Sequence, residues 1–319
     1  MLLRHIVRIF PVVLVIAGTS AVCGQDYPSK PIRIVTAAAG GGSDFAARTL
    51  AQGISGPLGQ PVIVENRGSG IVQYEFLAKA PPDGYGLLVT GMSFWVAPLL
   101  QKIPYDVVKD FTPLSLMVKE VFVFAVHPSV PAKSVKELIA LAKARPGELN
   151  YSSGTTATPT HLASELFKSM AGVNIVRVAY KGTSPALTAA LSGEVQMIIV
   201  DALLITPHMK TGKLRALAIT NDKPSTLVPG LPTIAASGVP GFDAAGVTVL
   251  FAPGNTPAPI LNRLSQETMR ALNQPDVKER FLSVGAEVVA NTPEQFTAGI
   301  KADVIKWTKI IKDAGIRAD

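Results

Sequence analysis

The chain has 319 residues, a single cysteine, and 30 Lys and Arg against 23 Asp and Glu, for a net charge of +7. The basic residues are scattered, with no basic stripe and no interleaved aromatic platform, which argues against nucleic acid as a partner. One cysteine excludes a disulfide framework and gives no support to a thiolate metal site or a cysteine nucleophile.

In chain order, residues 1–24 read as a secretory signal peptide. Arg4, His5 and Arg8 form a basic start, residues 9–16 an apolar run, and residues 17–24 a small-residue stretch with the cut after Cys23 or Gly24. The run Ser20-Ala21-Val22-Cys23 is a poor lipoprotein box, because Ser stands where Leu is usual. Without Arg4 and Arg8 the balance falls to +5, a mild excess that suits attraction of anions and equally suits plain solubility. Export without disulfides points to a bacterial periplasm. The remaining length suits two lobes better than one core, and no later segment is apolar enough to span a bilayer.

The mature chain alternates strand and helix, the pattern of a parallel α/β sheet. A strand over 32–39 leads to a helix over 45–55 and a strand over 62–65. A helix over 73–80 stops at Pro81-Pro82-Asp83-Gly84, and a strand follows over 86–90. Residues 111–127 break the rhythm. They are long, rich in Val and Phe, and read as one connecting strand leaving a first lobe. A second α/β set has strands over 149–152, 175–180, 197–201 and 214–220. Its helices cover 133–145, 161–170 and 185–191. Residues 224–241 read as a surface connection, and a strand over 247–252 returns the chain. Helices over 258–272, 276–284 and 293–314 close it, the last with Phe296, Ile300, Val304, Trp307 and Ile311 at helical spacing.

Two strand-to-helix junctions look built to hold an anion with backbone N–H groups. The first runs from Ala37-Ala38-Ala39 into Gly40-Gly41-Gly42-Ser43-Asp44. The second runs from Leu149-Asn150-Tyr151 into Ser152-Ser153-Gly154-Thr155-Thr156-Ala157-Thr158-Pro159-Thr160-His161. Glycine lets the backbone approach a ligand, and a helix start offers unpaired N–H donors at a positive dipole end. The side chains nearby each admit two readings. Asp44 either caps its helix or meets the ligand, and Arg48 pairs with it at i,i+4. His161 either donates to a carboxylate or packs. Lys181, in Tyr180-Lys181-Gly182 at a strand end, either adds charge to the site or is a solvated surface lysine. Asp201 closes an apolar strand and needs a partner, from its own loop or from the ligand.

Catalytic signals are absent. Gly91-Met92-Ser93-Phe94-Trp95 fails the nucleophile-elbow pattern at its last position. There is no zinc-protease or phosphate-loop motif, and Gly68-Ser69-Gly70 lacks the third glycine of a dinucleotide fingerprint. His127, His161 and His208 are not spaced as a metal pair. Neither a metal nor a cofactor is expected.

Many ordered stretches resemble one family, the periplasmic solute-binding receptors of tripartite tricarboxylate transporters, or Bug proteins. The similarity runs from Tyr27 to about Ile316. It is carried by Tyr27-Pro28-Ser29-Lys30-Pro31-Ile32-Arg33, Gly40-Gly41 with Asp44, Ala47-Arg48, Leu58-Gly59-Gln60-Pro61, Glu65-Asn66-Arg67 and Ala78-Lys79-Ala80-Pro81-Pro82-Asp83-Gly84-Tyr85. It continues through Lys109-Asp110-Phe111-Thr112-Pro113, Tyr180-Lys181-Gly182, Gly212-Lys213-Leu214-Arg215-Ala216-Leu217-Ala218 and Pro240-Gly241-Phe242. The resemblance implies an α/β, two-lobed type II periplasmic-binding-protein fold, a Venus flytrap with a hinge of two crossing strands. Lobe 1 would be 25–120 plus 248–319, and lobe 2 would be 121–247. It also implies a small organic carboxylate ligand, delivery to membrane permease subunits, a monomer, and no enzymatic activity. The ligand-binding set it implies is Ala39, Gly40, Gly41, Ser43, Asp44, Ser153, Gly154, Thr155, Thr158, Thr160, His161, Lys181 and Asp201.

Three departures bear on the pocket. Ala37-Ala38-Ala39 stands where the family usually has aromatic and proline residues. The turn after Asn66-Arg67 is short, and an aromatic pair expected near Val247-Thr248 is missing. Loss of bulk at these positions would admit a larger ligand. Two other roles stay open on sequence alone: a sensory module presenting its ligand to a membrane histidine kinase, and an exported enzyme using His161 with Asp201 or Asp44.

Overall fold

A computed structural model describes residues 27–67, 71–154 and 156–317. The expected signal peptide, the turn Gly68-Ser69-Gly70 and Thr155 lie outside the described residues.

The first half alternates strand and helix, as its sequence predicts for all but α3: β1 (Ile32–Thr36), α1 (Gly42–Leu58), β2 (Val62–Asn66), α2 (Ile71–Ala78), β3 (Gly86–Gly91), α3 (Ser93–Leu100) and β4 (Phe111–Glu120). Then come β5 (Phe122–Val126), α4 (Val135–Ala144), β6 (Asn150–Ser153), α5 (Pro159–Ala171), β7 (Val176–Ala179), α6 (Thr183–Ser192), β8 (Met197–Asp201), α7 (Ala202–Lys210) and β9 (Arg215–Ile219). The chain ends with β10 (Gly246–Pro253), α8 (Ala258–Leu272), α9 (Pro275–Leu282), β11 (Ala286–Val288) and α10 (Pro293–Asp313).

These strands form two sheets, in the orders β11-β4-β10-β3-β1-β2 and β7-β6-β8-β5-β9. In the first, β1 pairs in parallel with β2 and β3, while β10 runs antiparallel to β3 and β4. In the second, β6 is parallel to β7 and β8, and β5 is antiparallel to β8 and β9. The stretch 111–127, expected as one strand, is two. Its first part belongs to one sheet and its second part to the other, with the switch at Val121. The reverse passage runs from β9 to β10, so the two sheets are joined by two chain crossings. Near them Lys119 of β4 ion-pairs with Asp222 at 2.8 Å and Asp243 at 3.0 Å, both in the segment returning from β9.

Each lobe buries its helices by amphipathic spacing. α1 turns Ala46, Ala47, Leu50, Ala51, Ile54 and Leu58 into a core shared with Ile32, Ile34, Leu87 and Leu250, the i, i+3/i+4 stripe of a helix on a sheet. α10 opens with a capping box between Thr292 and Gln295 and buries Phe296, Ile300, Trp307, Ile310 and Ile311. Val304 packs at the edge of that stripe. The helices α3 and α7 were not legible in the sequence. Each carries a proline inside, Pro98 and Pro207, and a proline there reads as a break. α3 is also apolar on every side, so no period marks it.

The parallel strands place the turns after β1, β2 and β3 along one edge of the first sheet. The turns after β6, β7 and β8 lie along one edge of the second. Open α/β sheets bind ligands outside the carboxyl ends of their strands. Both anion-type junctions sit on those edges.

Candidate functional site

At the first junction the chain leaves β1 and turns through Gly40, whose φ of +84° is a left-handed conformation that favours glycine. The Gly40 N–H donates to Asp44 Oδ2 at 3.0 Å. Gly41 is the residue before α1, extended at φ −85° and ψ 170°, and no side chain caps the helix. The N–H groups of the first turn of α1, at Gly42, Ser43 and Asp44, cannot find partners within the helix and are available to a ligand.

Asp44 is only 5% exposed, and its loop consumes it. Besides Gly40 it accepts from Arg48 Nε at 3.0 Å and from Asn66 Nδ2 at 2.8 Å. Asn66 also donates to the Ala37 carbonyl at 2.7 Å, and Arg48 Nη2 donates to Asn66 Oδ1 at 2.9 Å. The Arg48 hydrogen bond leads the effects that hold the Asp44 carboxyl down to about 2, against the opposing effect of burial. Of its two readings, the structure supports the loop-shaping one. Asn66, at the end of β2, is the partner that residue-by-residue reasoning did not single out.

The second junction is held from outside by Arg177 of β7. Its Nε donates to Ser153 Oγ at 2.8 Å, its Nη1 to Thr156 Oγ1 at 3.0 Å, and its Nη2 to the Gly154 carbonyl at 3.0 Å. The strand register explains the reach. Arg177 stands beside Tyr151 of β6, two residues before Ser153. His161 is 2% exposed, and its Nδ1 accepts from the Ala157 N–H at 3.0 Å. That places the ring proton of the neutral imidazole on Nε2. Ala157 sits at φ +61°, unusual for a residue with a side chain, so the imidazole helps hold a strained turn. Thr158 is the residue before α5, Pro159 is its first, and the Thr160 carbonyl accepts from Ser164 Oγ. Gly154 packs close against Gly182, at the start of α6. Lys181 is exposed on the same turn.

A cavity of about 380 Å³ opens between the lobes. Gly40, Gly41, Gly42, Phe45, Glu120, Asp201 and Thr248 line it, together with Val118, Phe281, Val284 and Ala286. The structure therefore brings Gly40, Gly41 and Asp201 together, with Ala39 in the adjoining loop and Ser43 and Asp44 in the first turn of α1. The Ser153–His161 turn and Lys181 do not line this cavity. Thr156 and His161 border another recess, of about 420 Å³, with Glu165, Lys168, Arg177 and residues 314–317. Burial raises the Asp201 carboxyl above its ordinary range. Glu120 is pushed up to about 7, first by burial and then by the Asp201 charge. Glu120 does not stand out in a stretch that reads as one strand over 111–127, because its place at the end of β4 appears only once that stretch divides between two sheets. Its signal is an acid at the point where that strand changes sheets. Among the described residues, no group of three or more His, Cys, Asp and Glu could hold a metal ion.

Two α/β lobes joined by two crossings, with the start of α1 facing a cavity between them, define a two-lobed solute-binding protein. The family described as "Tripartite tricarboxylate transporter family receptor" matches residues 46–316, and this chain belongs to it. The chain is 34% identical to protein BugT of Bordetella pertussis over 322 residues, 99% of each chain. It is similar to the solved structure of R. palustris Rpa4515 with adipate, with a TM-score of 0.72 and 32% identity, covering 92% of this chain and 99% of that one. MatC from Rhodopseudomonas palustris with bound malate gives a TM-score of 0.68 at 28% identity, covering 89% of this chain and all of that one. The protein is a solute-binding receptor of this family and not an enzyme.

Proposed function

We propose that this chain captures a small organic carboxylate between its lobes and delivers it to the membrane permease subunits of a tripartite transporter. The observation that carries this is the uncapped start of α1, whose free N–H groups border the cavity between the lobes. Relatives solved with adipate and with malate support the ligand class. In this reading Gly41, Gly42 and Ser43 receive the carboxylate from one lobe. The turn 153–158 meets it from the other, with Thr155 in that turn and Thr160, His161 and Lys181 beside it. Residues 25–120 with 248–319 move as one body against 121–247, and closure brings the two turns onto one ligand. Residues 1–24 direct export to the periplasm and are removed, and the receptor works as a monomer. No helix among the described residues is long and apolar enough to cross a membrane.

The test is mass spectrometry of what freshly purified protein releases on denaturation, followed by calorimetry with the compound found. A carboxylic acid that rebinds is the expected result. A neutral sugar or a cation as the only rebinding compound would refute the reading.

A further inference from the structure

The cavity between the lobes has an anion-receiving wall, the start of α1, yet its charged side chains are both acidic. Glu120 and Asp201 line it, and no Lys or Arg does so among the described residues. Glu120 Oε1 lies 3.6 Å from where a Cβ on Gly42 would stand, so it is next to the first N–H groups of α1. Its other oxygen lies over Gly246, where any side chain would overlap it. Neighbouring charges leave the pair alone. Arg48 is committed to Asp44, and Lys119, adjacent in sequence to Glu120, is committed to Asp222 and Asp243. Neither Glu120 nor Asp201 has a cationic partner among the described residues. Burial first, and then the Asp201 charge, pushes the Glu120 carboxyl up to about 7.

Thr248 is the third polar group. It is 3% exposed, stands beside Val118 in the strand register, and lines the cavity together with it. Its hydroxyl has no hydrogen-bond partner among the described residues. The rest of the lining is apolar: Phe45, Val118, Phe281, Val284 and Ala286.

Resting on the carboxylate-receptor reading above, we infer that Glu120, Asp201 and Thr248 form a second subsite, for an ammonium group, and that the ligand is an α-amino acid with an apolar side chain. An ammonium has three donors and no acceptor, one for each of these groups. A second carboxylate on the ligand would add a negative charge beside two acids that already lack a counter-ion. In an α-amino acid a single carbon separates carboxylate from ammonium. That matches the close approach of Glu120 to the start of α1. The apolar wall then receives the side chain.

The test uses pairs of ligands that differ only in the amino group: leucine against 4-methylpentanoate, and phenylalanine against 3-phenylpropanoate. Adipate and malate are included as dicarboxylates, and binding is read by calorimetry on the mature protein. The amino acid of at least one pair is expected to bind about tenfold or more tighter than its deaminated partner, the worth of one hydrogen bond to a charged group. Glu120→Gln and Asp201→Asn are each expected to narrow that ratio, with melting curves showing that the variants remain folded. Equal binding within the pairs, or equal weakening of both members by the variants, overturns the subsite and leaves the carboxylate receptor standing. Adipate or malate binding where no amino acid binds does the same. Failure of every carboxylate to bind overturns both readings.

Discussion

Arg177 offers the sharpest test of whether the second loop serves the ligand. Replacing it by Met keeps the hydrocarbon stem and removes three hydrogen bonds, to Ser153 Oγ, Thr156 Oγ1 and the Gly154 carbonyl. Hydrogen bonds to a charged group contribute about 1.5–3 kcal/mol each. Arg177 is only half-buried, so water reaches part of what it leaves. The net loss should be about 2–3 kcal/mol, less than three full bonds would give. If the loop must be ordered to hold ligand, that ordering falls on binding, and affinity drops roughly thirty- to a hundredfold. Arg177→Lys should lie between, because one ammonium cannot span three acceptors in the plane that a guanidinium covers.

The assay pairs thermal unfolding with calorimetry, using whichever of adipate, malate or leucine binds the wild-type protein most tightly. Arg177→Met should melt lower by a few degrees and bind more weakly. A variant that melts lower but binds as before would show that the loop is only scaffold. A variant unchanged in both would refute the clamp itself.

Other expectations follow from the same geometry. Gly41→Leu should fold normally, since Gly41 has an ordinary extended backbone and a Cβ there meets only the Ala38 carbonyl oxygen, at 3.7 Å. It should nevertheless bind at least tenfold more weakly, because the side chain stands in the approach to α1; wild-type affinity would take the first loop out of the site. Glu120 has a raised folded-state pKa, so its contribution to stability is full below the ordinary value of 4.5 and is lost as pH rises through about 7. Glu120→Gln should therefore raise the melting temperature at pH 8 and change it little at pH 4, and an equal change at both would refute the assignment. Small-angle scattering should give a smaller radius with saturating ligand than without, as the lobes close, and identical radii would argue against hinge motion.

The sequence made the fold legible where periodicity was clean and less so where chemistry and backbone disagreed. The apolar stripe of α10 and the glycine turn after β1 each satisfy one local rule, and each forms where expected, while α1 starts at Gly42, three residues before its expected start. α3 and α7 escaped because an internal proline and a missing polar face hide a helix that tertiary packing nonetheless supports. In the site, Gly40 and Gly41 were readable because only backbone explains so many glycines before a helix. Arg177 was not. Its role comes from strand register, which places it beside Tyr151 with its guanidinium reaching forward to residues 153–156, and nothing within either segment announces the pairing.

Glu120 and Asp44 show why type and position alone could not settle roles. Both are acids beside the same glycine turn, and the sequence singles out only Asp44, as a helix cap or as a ligand contact, because it lies within the motif. The structure separates their roles. Asp44 has Arg48, Asn66 and the Gly40 N–H around it, so its charge is satisfied before a ligand arrives. Glu120 comes from the strand that crosses between lobes and reaches the same place without a partner. An acid whose charge is answered by its own loop fixes shape. An acid left unanswered at the meeting of two lobes gives them a reason to close on something positive. Whether a carboxylate shapes this site or selects its ligand therefore depends on its counter-ion, and that is set by which strands lie side by side.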